Sequence, residues 1–122
     1  MVSVPGFLLK RLYVKQSLQN TDFGLEFHLK NNLGSGYSYK LWPLKVDGQE
    51  MPIDSSFFIL DGEEVVFSNV SQEQTFTLGM NKTIVIRIAG QTLETGSHQI
   101  EMAFDVPGLG TLRFNFTDVI TG

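Results

Sequence analysis

The 122 residues combine 42% hydrophobic with only 18% charged side chains and a formal net charge of −4, a composition that excludes intrinsic disorder. The nine Lys and Arg residues are scattered singly apart from Lys10 and Arg11, which argues against a nucleic-acid partner. The chain has no cysteine, so disulfides, thiolate nucleophiles and Cys-ligated zinc are excluded, and a reducing, cytoplasmic location is expected.

No segment of the sequence has the pattern of a membrane span or of a signal peptide. Charges and turn residues interrupt every apolar run, and the short apolar stretch within residues 1–10 has its cations behind it rather than in front. We therefore expect a single domain over residues 1–122 with no membrane partner.

Period-two alternation of apolar and polar residues is the strongest pattern, because successive side chains of a strand point to opposite faces. In chain order it occurs in residues 23–29, 84–88, 100–106 and 112–116. Weaker strand patterns lie at about residues 7–16, 41–47, 57–60, 64–67 and 73–78. Together these strand patterns predict an all-β antiparallel β-sandwich of about eight or nine strands, immunoglobulin-like in a loose sense. An open barrel is the alternative.

Three dipeptides predict tight turns between strands. Asp47-Gly48 and Asp61-Gly62 favour two-residue hairpins, because glycine tolerates a positive φ. Pro107-Gly108 suits the two central positions of a type II turn, which predicts a hairpin over residues 98–118.

The apolar face of the alternating strands predicts the core. We expect these side chains to be buried: Phe23, Leu25, Phe27, Ile84, Ile86, Ile88, Phe104, Phe114 and Phe116. Replacing Phe104 by alanine should then cost about 3 to 5 kcal/mol of stability, as other large core truncations do.

The longest irregular stretch, residues 31–40, is the first place where we expect a site, since long loops in compact domains are often functional. Tyr and Trp side chains combine a flat apolar face with a polar edge, which suits ligands and protein interfaces. We predict four ligand or interface residues here: Tyr37, Tyr39, Lys40 and Trp42. For Trp42 alone an anchor in the core is the favoured interpretation, and for the two tyrosines exposure and burial are equally expected.

The two histidines and the 13 carboxylates form no catalytic or metal-binding motif. His28 should be an ordinary surface residue, and His98 should be buried and hydrogen-bonded at the start of a strand. Glu26, Glu101 and Asp105 fall on the solvent side of their strands, and sequence alone cannot pair two carboxylates across a cleft. We therefore predict no catalytic residue, no metal and no cofactor in this chain.

One sheet face carries few charges for a surface in water. Val85, with Thr83 and Ala89 on its strand and Gly24 on the strand of residues 23–29, lies opposite the predicted core. An antiparallel sheet with one face in water is normally more polar there. We predict that Val85 lies in an interface with another protein.

Three segments, residues 23–30, 44–48 and 93–98, resemble the small β subunit family of the C-glycoside deglycosidases and its bacterial relatives. With the alternating run that follows the third segment, the resemblance spans residues 18–118. It implies a β-sandwich that assembles with a larger α subunit, a metal-dependent barrel that cleaves the carbon–carbon bond of a 3-oxidised C-glycoside. The loop at residues 31–40 departs from that family's pattern, which leaves the substrate and the partner open.

On that resemblance, the chain is a non-catalytic accessory subunit of a hetero-oligomeric carbon–carbon lyase in carbohydrate metabolism. It would stabilise the α subunit, which holds the divalent metal, and help to wall the entrance for a glycoside substrate. Two alternatives need no partner enzyme: a free-standing carbohydrate-binding or protein-interaction module, and a structural homo-oligomer.

Overall fold

The computed structural model describes residues 4–121 and is mostly antiparallel β-sheet, with 51% strand and 11% helix, which confirms the predicted fold class. The helical part of these residues consists of α1 (Gly6–Leu9) and three 3-10 turns at Lys10–Leu12, Ile53–Ser55 and Phe67–Asn69. None of these helices has the length and apolar character that crossing a bilayer requires. The strands, in chain order, are β1 (Gln19–Asn20), β2 (Gly24–Lys30), β3 (Gly36–Ser38), β4 (Lys40–Leu41), β5 (Lys45–Val46), β6 (Gln49–Glu50), β7 (Ser56–Leu60), β8 (Glu63–Val66), β9 (Phe76–Leu78), β10 (Thr83–Ala89), β11 (Gly96–Val106) and β12 (Gly110–Ile120).

Two antiparallel sheets enclose the core. The first has the strand order β1-β2-β10-β7-β8, and the second has the order β12-β11-β5-β6, with β4 also paired to β11. A separate two-stranded ribbon is formed by β3 and β9. The ribbon adjoins β11, because β3 leads directly towards β4 and the Tyr39 amide donates to the Asp105 carbonyl oxygen (3.3 Å).

The structure has more strands than the eight or nine that the sequence predicts. Within residues 4–121, four of the twelve strands, β1, β4, β5 and β6, are only two residues long, which is too short to show alternation. Pro43, which has no N–H to donate to a sheet, lies between β4 and β5, so the strand predicted at residues 41–47 is two short ones. β7 and β8 lie where strands were predicted, and β9 covers only part of residues 73–78.

The three predicted turns are present with the expected geometry. Asp47 and Gly48 have φ values of 51° and 85°, and Asp61 and Gly62 have 52° and 81°, the two positive angles of a type I′ hairpin. Between β11 and β12, Gly108 has a φ of 81° and the Leu109 amide donates to the Val106 carbonyl oxygen (3.0 Å). This agrees with a type II turn.

The prediction of a strand at residues 7–16 is wrong, because this segment is helical up to Leu12. Leu9 and Leu12 are three residues apart, a spacing that puts both side chains on the inner face of a helical segment, and both are buried. Tyr13 then makes a single bridge to Leu29 of β2. The helical segment lies against β12, close enough that a Cβ on Gly6 would be 3.3 Å from the Arg113 carbonyl oxygen.

The core lies between the two sheets and contains eight of the nine side chains predicted to be buried. An aromatic cluster links the sheets: the Tyr13 ring stacks on Phe116 (3.6 Å between centroids), and Phe27 meets Phe116 edge-on (5.2 Å). Phe23 is the exception, with 67% of its surface exposed. β2 begins only after it, at Gly24, whose φ of 143° interrupts the alternation, and the Phe23 ring lies 5.0 Å from the Arg87 guanidinium instead.

Candidate ligand-binding cavity

The loop at residues 31–35, the first part of the long irregular stretch, is fixed by one buried side chain, Asn31. Its Nδ2 donates to the carbonyl oxygens of Gly34 (2.6 Å) and Leu78 (2.9 Å). Its Oδ1 accepts from the amides of Leu33 (3.1 Å) and Gly34 (3.2 Å). The loop is therefore tied to β9 and forms an ordered wall.

Behind this loop lies a cavity of about 260 Å³ between the two sheets. Its walls are mainly aliphatic and aromatic side chains from the helical segment and from β2, β9, β11 and β12: Leu12, Leu29, Phe76, Leu78, Phe104 and Leu112. Leu33 and Tyr37 line the side that opens to solvent and are 37% and 49% exposed. A mostly apolar, largely pre-formed concavity of this kind is typical of small-molecule sites.

The two buried polar side chains in the cavity wall already have partners. Besides Asn31, Ser38 is 1% exposed; its Oγ donates to the Lys40 carbonyl oxygen (2.8 Å) and accepts from the Lys40 amide (3.2 Å). Within residues 4–121, no carboxylate, histidine, lysine or arginine side chain lines the cavity. The cavity can therefore hold a ligand by van der Waals contact and exclusion of water.

The structure separates the four residues predicted around the loop. Only Tyr37 borders the cavity, at its opening. It lies on the face of β3 opposite to Gly36 and Ser38, the outer side, where together with Tyr39 it lines a depression beside Gln72 and Pro107. Lys40 and Trp42 lie on the outer face of the second sheet, where the Lys40 Nζ is 3.9 Å from the Trp42 ring centroid.

Trp42 is half-buried, so its interpretation as a core anchor is wrong. Its Nε1 donates to Asp105 Oδ1 (2.8 Å), which also accepts from the Thr111 hydroxyl (2.6 Å). Although partial burial disfavours the charged form of Asp105, these two hydrogen bonds lower its pKa. The polar edge of the indole thus finds its partner outside the core, which holds Trp42 at the surface.

Val85 lies on the outer face of the first sheet, half-buried between His28 of β2 and Ile59 of β7. The same face holds Glu26, which was expected to face solvent but is only 9% exposed. Its carboxylate accepts from Arg87 Nη2 (2.9 Å) and from His28 Nε2 (3.1 Å). Burial works against its charge, but these hydrogen bonds outweigh burial and lower the pKa of Glu26. His28 is therefore part of a hydrogen-bonded network with Glu26 rather than a free surface residue.

His98 fastens the β5–β6 turn to the start of β11 and is partly buried and hydrogen-bonded. Its Nδ1 donates to Asp47 Oδ2 and its Nε2 donates to the Glu94 carbonyl oxygen, both at 2.7 Å, while Asp47 Oδ1 accepts from the Gln99 amide (2.8 Å). Because an ionised carboxylate and a carbonyl only accept, these two contacts favour the cationic imidazole, which carries a proton on each ring nitrogen. The hydrogen bond to Asp47, and then the one to Glu94, raises the pKa of His98, and the bond from His98 lowers the pKa of Asp47.

The stability contributed by this contact should fall as the pH rises above neutrality. Because its folded-state pKa is raised, His98 stabilises fully below its unfolded value of about 6.5 and ceases to do so as the pH rises through the folded value. Asp47 has a lowered pKa, so its contribution is present above about pH 4 and is lost in acid. We expect the stability difference between the wild type and Asp47→Asn to be largest between about pH 5 and pH 6.5 and to shrink as the pH rises further.

Urea unfolding over this pH range measures that difference. Asparagine tolerates the positive φ at position 47, so the turn itself is kept. In a His98→Gln background the effect of Asp47→Asn should not vary with pH above about 5. A difference that is independent of pH in the wild-type background would contradict the role given to His98.

In residues 4–121, no group of three His, Asp or Glu side chains stands close enough together to hold a metal ion. Of the cavity residues, the sequence analysis predicted only Tyr37 as a site residue; those it missed include Leu9, Leu12 and Asn31. The spacing of the two leucines could have indicated a helical turn. No pattern in the sequence indicated a cavity behind the loop, because the cavity depends on how the two sheets pack against each other.

Comparison with known families corrects the resemblance drawn from short segments. The family model described as hydroxymethylglutaryl-CoA reductase, N-terminal domain, matches residues 8–121, and no curated protein matches the chain. The assignment to the C-glycoside deglycosidase β subunits is therefore wrong, and so are the roles as a lyase accessory subunit and as a carbohydrate-binding or protein-interaction module.

The three resembling segments contain the whole of β2, β5 with its type I′ turn residues, and the start of β11, and many sandwiches share such features. The metal-dependent partner subunit was expected only from that resemblance and stays a prediction. A match over residues 8–121 covers nearly the whole sequence, whereas the three segments cover only short parts of it. The chain belongs to the hydroxymethylglutaryl-CoA reductase N-terminal domain family.

Proposed function

We propose that this chain is a binding domain that holds a small apolar ligand in the cavity behind residues 31–38. The observation that carries the proposal is a cavity of about 260 Å³ with aliphatic and aromatic walls and partly exposed apolar residues at its opening. A cavity of about 150 Å³ holds benzene, so in proportion this one has room for about ten carbon atoms.

The proposed role is binding rather than reductase chemistry. The family name refers to the amino-terminal domain of a reductase acting on hydroxymethylglutaryl-CoA, and that reaction requires groups that exchange protons and a hydride. The cavity walls described here are hydrocarbon surfaces and hydrogen-bonded amide and hydroxyl groups. We assign any reductase activity to parts of the protein other than this cavity, and we keep the cytoplasm as the proposed location.

A series of straight-chain alcohols tests the proposal, because the cavity sets a maximum chain length. Each buried methylene contributes about 0.8 kcal/mol, so affinity should rise roughly fourfold per carbon from pentanol upwards and level off once the cavity is full. Titrations followed by amide NMR shifts measure the affinity and show whether the perturbed residues line the cavity.

Gly36→Phe should block the cavity. Gly36 lines it, and it lies two residues before buried Ser38 on the same strand, so its side-chain direction points inwards. A Cβ there would meet no atom within 4 Å. We expect octanol binding to weaken by roughly tenfold or more while the fold is kept.

Thr77→Phe is the matched control, since Thr77 pairs with Tyr37 across the ribbon and is exposed on its outer side. This variant should bind octanol as the wild type does. Equal octanol binding by the wild type and Gly36→Phe, or shifts only at residues far from the cavity, would overturn the proposed function.

A further inference from the structure

A groove on the outer side of the helical segment gathers the three cations of residues 10–15. It has a volume of about 750 Å³, and its walls include Lys10, Arg11 and Lys15 together with Phe7 and Asn32. Phe7 is 73% exposed. The sequence pattern showed only the Lys10-Arg11 pair, and the turn after Leu12 brings Lys15 into the same groove.

The charge of this groove stands out against the rest of the chain. Residues 1–21 contain three Lys or Arg and no Asp or Glu, whereas residues 22–122 contain six Lys or Arg against 13 Asp or Glu, a net charge of −7. Within residues 4–121, none of the ion pairs involves the three groove cations. Unpaired cations beside an exposed aromatic ring are suited to an anionic group attached to an apolar one.

One carboxylate, Asp118, also lines the groove, but its oxygens are already engaged. Oδ2 accepts from the Tyr13 hydroxyl (2.6 Å) and the Gln16 amide (2.7 Å), and Oδ1 accepts from the Val119 amide (2.7 Å). It therefore reduces the local charge from +3 to +2 without forming an ion pair with the three cations.

The groove and the cavity lie on opposite sides of the same two segments, the helical segment and the loop at residues 31–35. Leu9 and Leu12 face the cavity, whereas Lys10 and Arg11 between them face the groove. In the loop, Asn31 and Leu33 line the cavity and residue 32 lines the groove. Leu33 at the cavity opening is therefore next in the chain to Asn32 in the groove that contains the three cations.

We propose, resting on the binding function above, that the ligand is an amphiphile with an anionic head. Its hydrocarbon chain occupies the cavity, and its carboxylate or phosphate is held by Lys10, Arg11 and Lys15. The cations are exposed, so their contribution is electrostatic and is weakened by salt.

Three ligands with the same eight-carbon chain test the proposal: octanol, octanoate and octyl phosphate. At low ionic strength, octanoate and octyl phosphate should bind roughly tenfold tighter than octanol, and the preference should shrink at about 0.5 M salt. The triple variant Lys10→Gln, Arg11→Gln, Lys15→Gln should lose the preference and keep the affinity for octanol.

The matched control removes the same number of charges elsewhere, by Lys45→Gln, Lys82→Gln and Arg113→Gln. It should keep the preference for the anions. The proposal of an anionic head is wrong if octanol binds in the cavity but octanoate and octyl phosphate bind no tighter. It is also wrong if the control loses the preference as fully as the groove variant. In both cases the proposed binding function stands. If none of the three ligands binds, the proposed function itself fails.

Inorganic phosphate separates an amphiphile site from a simple anion site. Phosphate alone should bind the wild type far more weakly than octyl phosphate does. The affinity of the Gly36→Phe variant for octyl phosphate should fall to its affinity for inorganic phosphate. If the two bind the wild type equally well, the groove is an independent anion site and the amphiphile proposal is overturned.

Discussion

Replacing Gly24 by alanine should lower the free energy of unfolding by about 4 kcal/mol, through steric clash and strain at a special backbone conformation. Gly24 has a φ of 143°, a region that side chains rarely adopt. The added Cβ would lie 2.0 Å from the Ile88 carbonyl oxygen and 2.9 Å from the Gly90 amide nitrogen. Both contacts are with backbone of the central strand β10 and the residues just after it, so no side-chain movement relieves them.

Urea unfolding of Gly24→Ala, followed by far-ultraviolet circular dichroism, measures this loss. Gly36→Ala is the matched control, because a Cβ there meets no atom within 4 Å and the backbone φ is ordinary. The control should change the unfolding free energy by less than about 1 kcal/mol. Similar effects of the two substitutions would show that the close approach at Gly24 does not exist in solution.

Phe27→Ala should cost about 3 to 5 kcal/mol, the usual range for a fully buried phenylalanine. Phe27 has no exposed surface, and its ring lies 5.2 Å from Phe116 and 6.2 Å from Tyr13. Truncation would leave a cavity in the aromatic cluster that joins the two sheets, where the surrounding strands cannot collapse.

Phe104→Ala, for which the sequence predicted the same cost, should fall at the low end of that range or below it. Phe104 borders the existing cavity, so its ring has fewer atoms packed against it on that side. Thermal and urea unfolding of both variants compare the two costs. A larger loss for Phe104→Ala than for Phe27→Ala would mean that the cavity is filled in the free protein.

The sequence predicted the parts of the fold that depend on local chemistry. Alternation located β2, β10, β11 and β12, because a half-buried strand needs apolar residues at every second position. The type I′ turns followed from Asp47-Gly48 and Asp61-Gly62. It failed at Phe23, since the alternation is interrupted at Gly24, whose positive φ and close approach to β10 are not visible in a local pattern.

The candidate site could be predicted only in its position along the chain. The irregular stretch at residues 31–40 did mark one wall of the cavity, and Tyr37 lines it. Trp42 was misplaced because its indole N–H pairs with Asp105, 63 residues away. The groove was missed because residues 7–16 were predicted to form a strand. Their short helical segment is stabilised by tertiary packing rather than by helix propensity, so the local sequence did not indicate it.

The position of α1 beside β12 has a consequence for how these molecules behave towards one another. β12 is eleven residues long and forms one edge of its sheet. An uncovered edge of that length presents free N–H and C=O groups on which a strand from a neighbouring molecule can pair. Because the helical segment packs against β12 near Arg113, we expect the few residues that wall the cavity also to cover part of this edge and so to reduce edge-to-edge pairing between molecules.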